Sequence, residues 1–125
     1  MIRMLFVYGT LQPCQPRWPA LAPFVEQGAG TRTSVQGVLY RTPYGWPVAT
    51  FDAVDTVVPG QVLTLRKTTA GVALDSLDRI EGVPSALFER VLVATTSGLV
   101  CHAYHWPHDT SGFVTITSWP PGNDQ

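Results

Sequence analysis

A chain of 125 residues and 13.6 kDa is long enough to bury one core and too short for two ordinary domains. With 14% charged residues, a net charge of -1 and no basic cluster, it lacks the electrostatic footprint that nucleic acid or an anionic membrane selects, so the expected partner is a small molecule. Its two cysteines, Cys14 and Cys101, have neither metal-site spacing nor the density of a disulfide scaffold, and read as reduced thiols of a cytoplasmic protein.

The apolar run Met4 to Val7 is too short for a signal-peptide core or a membrane span and reads as a buried strand. It ends in Tyr8-Gly9-Thr10-Leu11. Gly9 allows main-chain N–H groups to approach a ligand as a small anion nest, and the same tetrapeptide also fits an ordinary strand-ending turn. Pro13, Pro16 and Pro19 break the next segment, around Cys14, Arg17 and Trp18, into an irregular flap with room for one helical turn near Leu21 to Val25. Gly28 to Thr33 reads as a polar turn, Val35 to Tyr40 as a strand interrupted by Gly37, and Thr42 to Trp46 as a turn. Val48 to Phe51 and Thr56 to Leu65 are the next strands, the second alternating polar and apolar beyond Gly60.

A helix is expected from Gly71 to Glu81, with Gly82 and Pro84 as its stop signal. Phe88 to Ala94 and Leu99 to Trp106, joined through Thr95 to Gly98, read as an antiparallel hairpin. Val114 to Trp119 carries the last ordered pattern. One domain over residues 1–119 with a frayed tail at 120–125 is therefore expected.

Within the helix, Glu81 falls one turn beyond Leu77 and two beyond Leu74, which places a carboxylate on the apolar face. Asp75 and Arg79 mark the solvated face. Burial and the negative end of the helix dipole both raise the pKa of an inward Glu81, as an acid/base residue requires. The same placement fits a glutamate paired with Arg90 or another cation. His102, His105 and His108 recur every third residue, but on a strand the first two face opposite sides and Pro107 breaks any helix that would align them. Cys14 lacks an identifiable base, and Ser76, Ser85 and Ser118 lack a nucleophile-elbow context.

Taken in order, Tyr8-Gly9-Thr10-Leu11, Gly37-Val38-Leu39-Tyr40, Val58-x-Gly60, Leu77-Asp78-x-x-Glu81-Gly82, Phe88-x-Arg90 and a late Trp119 resemble the gamma-glutamyl cyclotransferase-like superfamily over nearly the whole chain. The resemblance implies an α+β fold, a small mixed β-barrel with short helices. It also implies a cofactor-free and metal-free enzyme that cleaves a gamma-glutamyl amide by attack of the substrate's own α-amine, releasing 5-oxoproline and a free amine. Tyr8, Gly9, Thr10 and Leu11 would bind the substrate, and Glu81 would be the acid/base residue. The rival reading is a binding module of the same fold without turnover. The chain departs from the resemblance at Cys14 and Arg17, where many relatives carry Gly and Asn, at Phe88, where a Tyr is usual, and at Trp119, which directly follows Ser118. Arg17 is expected to pair with an acidic end of the substrate. Composition leaves the oligomeric state, the leaving amine and the pathway open.

Overall fold

The computed structural model describes residues 2–27 and 30–120. Gly28, at the head of an expected turn, and the tail from residue 121 lie outside the described residues.

Strand β1 (Met4–Val7) sends Leu5 and Val7 to one side and Phe6 and Tyr8 to the other, and all four are buried. A strand packed on both faces has to be apolar throughout, which is why its sequence does not alternate. It lies at the centre of a five-stranded sheet with the strands β2 (Thr31–Gln36), β5 (Val57–Thr64), β6 (Glu89–Ala94) and β7 (Val100–His105), ordered β2-β5-β1-β7-β6. β1 runs antiparallel to β5, pairing Leu5 with Leu63, and parallel to β7, pairing Leu5 with His102. A three-stranded antiparallel sheet is made by β3 (Val38–Arg41), β4 (Pro47–Thr50) and β8 (Val114–Ile116), ordered β4-β3-β8. The hairpin expected around Thr95 to Gly98 is β6 and β7.

The α+β class stands, but the sheets do not close into the expected barrel. The edge strands of the larger sheet share no ladder; β2 meets the turn beyond β6, where Val35 bridges Thr95, the Ser34 carbonyl accepts the Thr96 N–H (2.8 Å), and the Thr33 and Ser34 hydroxyls reach Ser97 and Thr96. The segment read as one strand from Val35 to Tyr40 is also two strands, β2 and β3, which belong to different sheets. The break is at Gly37, where a Cβ would lie 2.2 Å from the Thr50 carbonyl oxygen. Backbone, not ligand, makes the close approach there.

The flap holds a short helix α1 (Trp18–Leu21), followed by a 3-10 turn over Ala22–Phe24. The helix begins earlier than the sequence indicated, because Pro19 sits in its first turn, where a missing N–H costs nothing. Helix α2 (Ala70–Ile80) buries Ala70, Ala73, Leu74 and Leu77 against Leu5, Val7, Leu63 and Leu65, while Asp75 and Arg79 stay exposed. Phe6, Tyr8, Leu39, Ala49, Val58 and Val62 form the second core, between the two sheets. The helix stops at Gly82, whose left-handed φ of 70° turns the chain where a side chain would be strained.

Candidate active site

Leaving the sheet after Val7, the chain makes a turn at Gly9, whose carbonyl accepts the Gln12 N–H (3.1 Å), while the Thr10 carbonyl accepts the Arg17 N–H (2.8 Å). Gln12 is buried and its side-chain amide reaches the carbonyl oxygens of both Gly9 (3.3 Å) and Trp119 (3.2 Å), which ties the turn to the far end of the chain. A side chain at Gly9 is excluded because its Cβ would meet Pro47 Cγ at 2.7 Å. Among the described residues, no carbonyl outside the strand ladders accepts from the N–H groups of Gly9, Thr10 or Leu11. The Gly9 and Thr10 carbonyls are thus the groups that hold the turn, and both residues line a cavity.

Tyr8 to Leu11 form one wall of a cavity of about 50 Å³, large enough for a few waters or one small polar group with its stem. Ile80 and Glu81 at the end of α2 line it too, together with Trp46, Pro47, Phe88 and Tyr104. Trp46 packs on Phe88 and Trp106 with ring centroids 6.0 and 6.1 Å apart, so that side is rigid and apolar. The structure therefore brings together all the residues that the sequence singled out, Tyr8 to Leu11 and Glu81.

Glu81 caps the helix C-terminus and its side chain is only 12% exposed. Its Oε2 accepts a 2.7 Å hydrogen bond from the guanidinium of Arg17. Burial pushes the Glu81 carboxyl above the ordinary glutamate range, and Arg17 reduces that rise without cancelling it. The cation that the sequence offered as a partner, Arg90, goes elsewhere. Arg90 Nε donates to Asp78 Oδ1 (2.9 Å), and the same oxygen accepts the Tyr104 hydroxyl (2.8 Å). Arg17, expected to pair with an acidic end of the substrate, is paired with Glu81 here.

Asp78 and Tyr104 were not singled out as site residues. Asp78 lies at i−3 to Glu81 on one helix face, and that spacing is the signal that points to it. Its contact places the Tyr104 ring in the cavity wall. The hydroxyl of Tyr8 turns away from solvent and donates to the Tyr104 carbonyl oxygen (2.8 Å). Burial foremost, and then the Glu81 charge, hold the Tyr8 phenol well above its ordinary pKa, so it stays protonated and acts as a buttress.

The three histidines end in separate places. His102 lies between Arg90 (3.2 Å to Nδ1) and the Ile2 carbonyl oxygen (3.0 Å to Nε2). A guanidinium only donates and a carbonyl only accepts, so the ring is neutral with its proton on Nε2, in keeping with burial lowering its pKa. His105 Nδ1 accepts the Phe51 N–H (3.2 Å), and His108 Nε2 contacts the Ala86 carbonyl oxygen. Among the described residues no group of three His, Cys, Asp or Glu side chains is placed to hold a metal. Cys14 is exposed and outside the cavity lining, and Cys101 is buried in the second core. No helix among the described residues is long and apolar enough to cross a membrane.

The family model described as gamma-glutamyl cyclotransferase, AIG2-like, matches residues 5–120. The chain belongs to that family. Among solved structures, this gamma-glutamyl cyclotransferase family member is similar to an AIG2-like protein from Mus musculus, with a TM-score of 0.75 at 16% identity over 94% of this chain and 88% of that one. It is also similar to a gamma-glutamyl cyclotransferase, with a TM-score of 0.60 at 20% identity over 90% and 69% of the two chains. An uncharacterised protein from Pyrococcus horikoshii gives 0.64 at 19% identity over 92% and 86%. At these identities the likeness is one of fold. No curated protein matches the chain.

Proposed function

We propose that the cavity binds the gamma-glutamyl end of a small amide and closes it to 5-oxoproline, releasing the amine, with Glu81 as the acid/base residue and no cofactor. The observation that carries this reading is that a poorly solvated carboxylate, Glu81, and the glycine turn Tyr8 to Leu11 line one cavity.

In the reaction the substrate α-nitrogen forms a bond to its own γ-carbonyl carbon, and the bond from that carbon to the amine nitrogen breaks. The α-ammonium gives up its protons and the departing amine takes them. A carboxylate whose pKa is raised by burial is a stronger base than an exposed one and can pass a proton in either direction. Nucleophile and electrophile belong to one molecule, so the pocket has only to fold the substrate into a ring-closing conformer, and a rigid wall of Trp46 and Phe88 favours that. The N–H groups of Gly9, Thr10 and Leu11 seat the α-carboxylate or steady the oxyanion that develops on the γ-carbonyl.

The test is release of 5-oxoproline from a panel of gamma-glutamyl amines, dipeptides and ε-lysine isopeptides. Glu81→Gln is expected to lower kcat by roughly 10²-fold or more, the usual contribution of acid/base catalysis. Release that persists in the variant removes Glu81 from the chemistry. Saturable binding across the panel with no release in the parent protein favours the binding module.

A further inference from the structure

We infer that Arg17 is a displaceable counter-ion, which yields its place on Glu81 to the substrate α-ammonium and then selects substrates whose amine portion carries a carboxylate. The inference rests on the gamma-glutamyl reading of the cavity.

The pair is asymmetric. The Glu81 side chain is 12% exposed and that of Arg17 is 41% exposed, so the carboxylate belongs to the cavity and the guanidinium to its mouth. The Arg17 backbone is anchored through its N–H to Thr10, and helix α1, which follows it, sinks Leu21 fully into the core. Only the long side chain is free to swing, and solvent beside it can receive the charge. In its present position it holds one of the two Glu81 carboxylate oxygens, Oε2.

Charge accounting gives the selectivity. Of the described residues that line the cavity, Arg17 and Glu81 are the charged ones. A gamma-glutamyl group brings one ammonium and one carboxylate. The ammonium goes to Glu81, the carboxylate goes to the N–H groups of the turn, and the guanidinium is left at the mouth without an anion. Asp78, the nearest carboxylate along the helix, already serves Tyr104 and Arg90. A carboxylate on the departing amine restores the missing partner. A neutral amine leaves Arg17 to water. Because the guanidinium is partly exposed, the discrimination is modest, roughly 2- to 5-fold.

The test compares gamma-glutamylglycine with gamma-glutamylglycinamide, which differ only in the terminal carboxylate. In the parent protein the acid is expected to show a KM roughly 2- to 5-fold below that of the amide, with the difference carried by KM and not kcat. Arg17→Gln is expected to bring the ratio near one, and Arg17→Lys to restore part of it. Equal KM values in the parent protein, or a preference that survives in Arg17→Gln, overturn the inference. If neither compound yields 5-oxoproline, the same comparison is made on calorimetric dissociation constants. An acid preference that Arg17→Gln abolishes then supports the selective role of Arg17, and the cyclotransferase reading alone fails.

Discussion

Glu81 is held between two opposing influences, and their balance is measurable. Removal from water raises its pKa and the Arg17 guanidinium lowers it, with removal from water the stronger. The carboxylate is the form that accepts a proton, so Glu81 becomes competent as a base when pH rises through its own pKa, above the ordinary glutamate range. Observed by ¹³C NMR of the Glu81 carboxyl, the titration midpoint is expected above that range in the parent protein and higher still in Arg17→Gln, where the lowering influence is gone. A midpoint at or below an exposed glutamate's would show that the ion pair outweighs burial. Tyr8 and Tyr104 face the same carboxylate, but their hydroxyls are spent on the Tyr104 carbonyl and on Asp78.

At the scale of the element, helix α2 has two tasks on one face. Ala73, Leu74 and Leu77 fasten it to β1 and β5, and Asp78 fastens its last turn to β6 and β7 through Arg90 and Tyr104. The apolar anchors set how the helix lies; the polar anchor sets where its end points. Asp78→Ala is expected to cost about 1–3 kcal/mol, since it leaves a partly buried guanidinium and a buried phenol without their acceptor. Activity should fall as well, because Tyr104 is free to leave the cavity wall. Urea denaturation and 5-oxoproline release measure the two effects, and a variant with parental stability would show that the Asp78 contacts contribute nothing to the helix end.

The whole molecule depends on the chain crossing from one sheet to the other. At Gly37 the strand that pairs with β5 becomes the strand that pairs with β4, and the Thr50 carbonyl oxygen fills the space where a side chain would begin. Gly37→Ala is expected to destabilise the fold by about 1–3 kcal/mol, the usual cost of forcing atoms into a packed site. A thermal melt reads this directly, and an unchanged Tm would mean that the crossing relaxes at no cost. The crossing bears on the site because β4 carries Pro47 into the cavity wall, against Gly9.

Local chemistry in the sequence was sufficient for β1, for the β6–β7 hairpin and for helix α2 with its stop at Gly82, because each is determined by neighbours in the chain: apolar runs, a turn and a helical period. The same period was enough to turn Glu81 inward, and the order of the short motifs was enough to indicate the family. Partners distant in sequence were a different matter. Arg17 lies 64 positions from Glu81 and Tyr104 lies 26 from Asp78, and no local rule distinguishes Arg17 from Arg90 as the cation that Glu81 meets. The opening of the barrel, too, depends on which strand edges meet, which is a property of sheet pairing and not of any one strand. Sequence alone determined the residue types of the site and the helix face that carries Glu81. Tertiary structure decided which charges face each other there, because ion pairing follows distance in space, and that distance is set by packing over the whole chain.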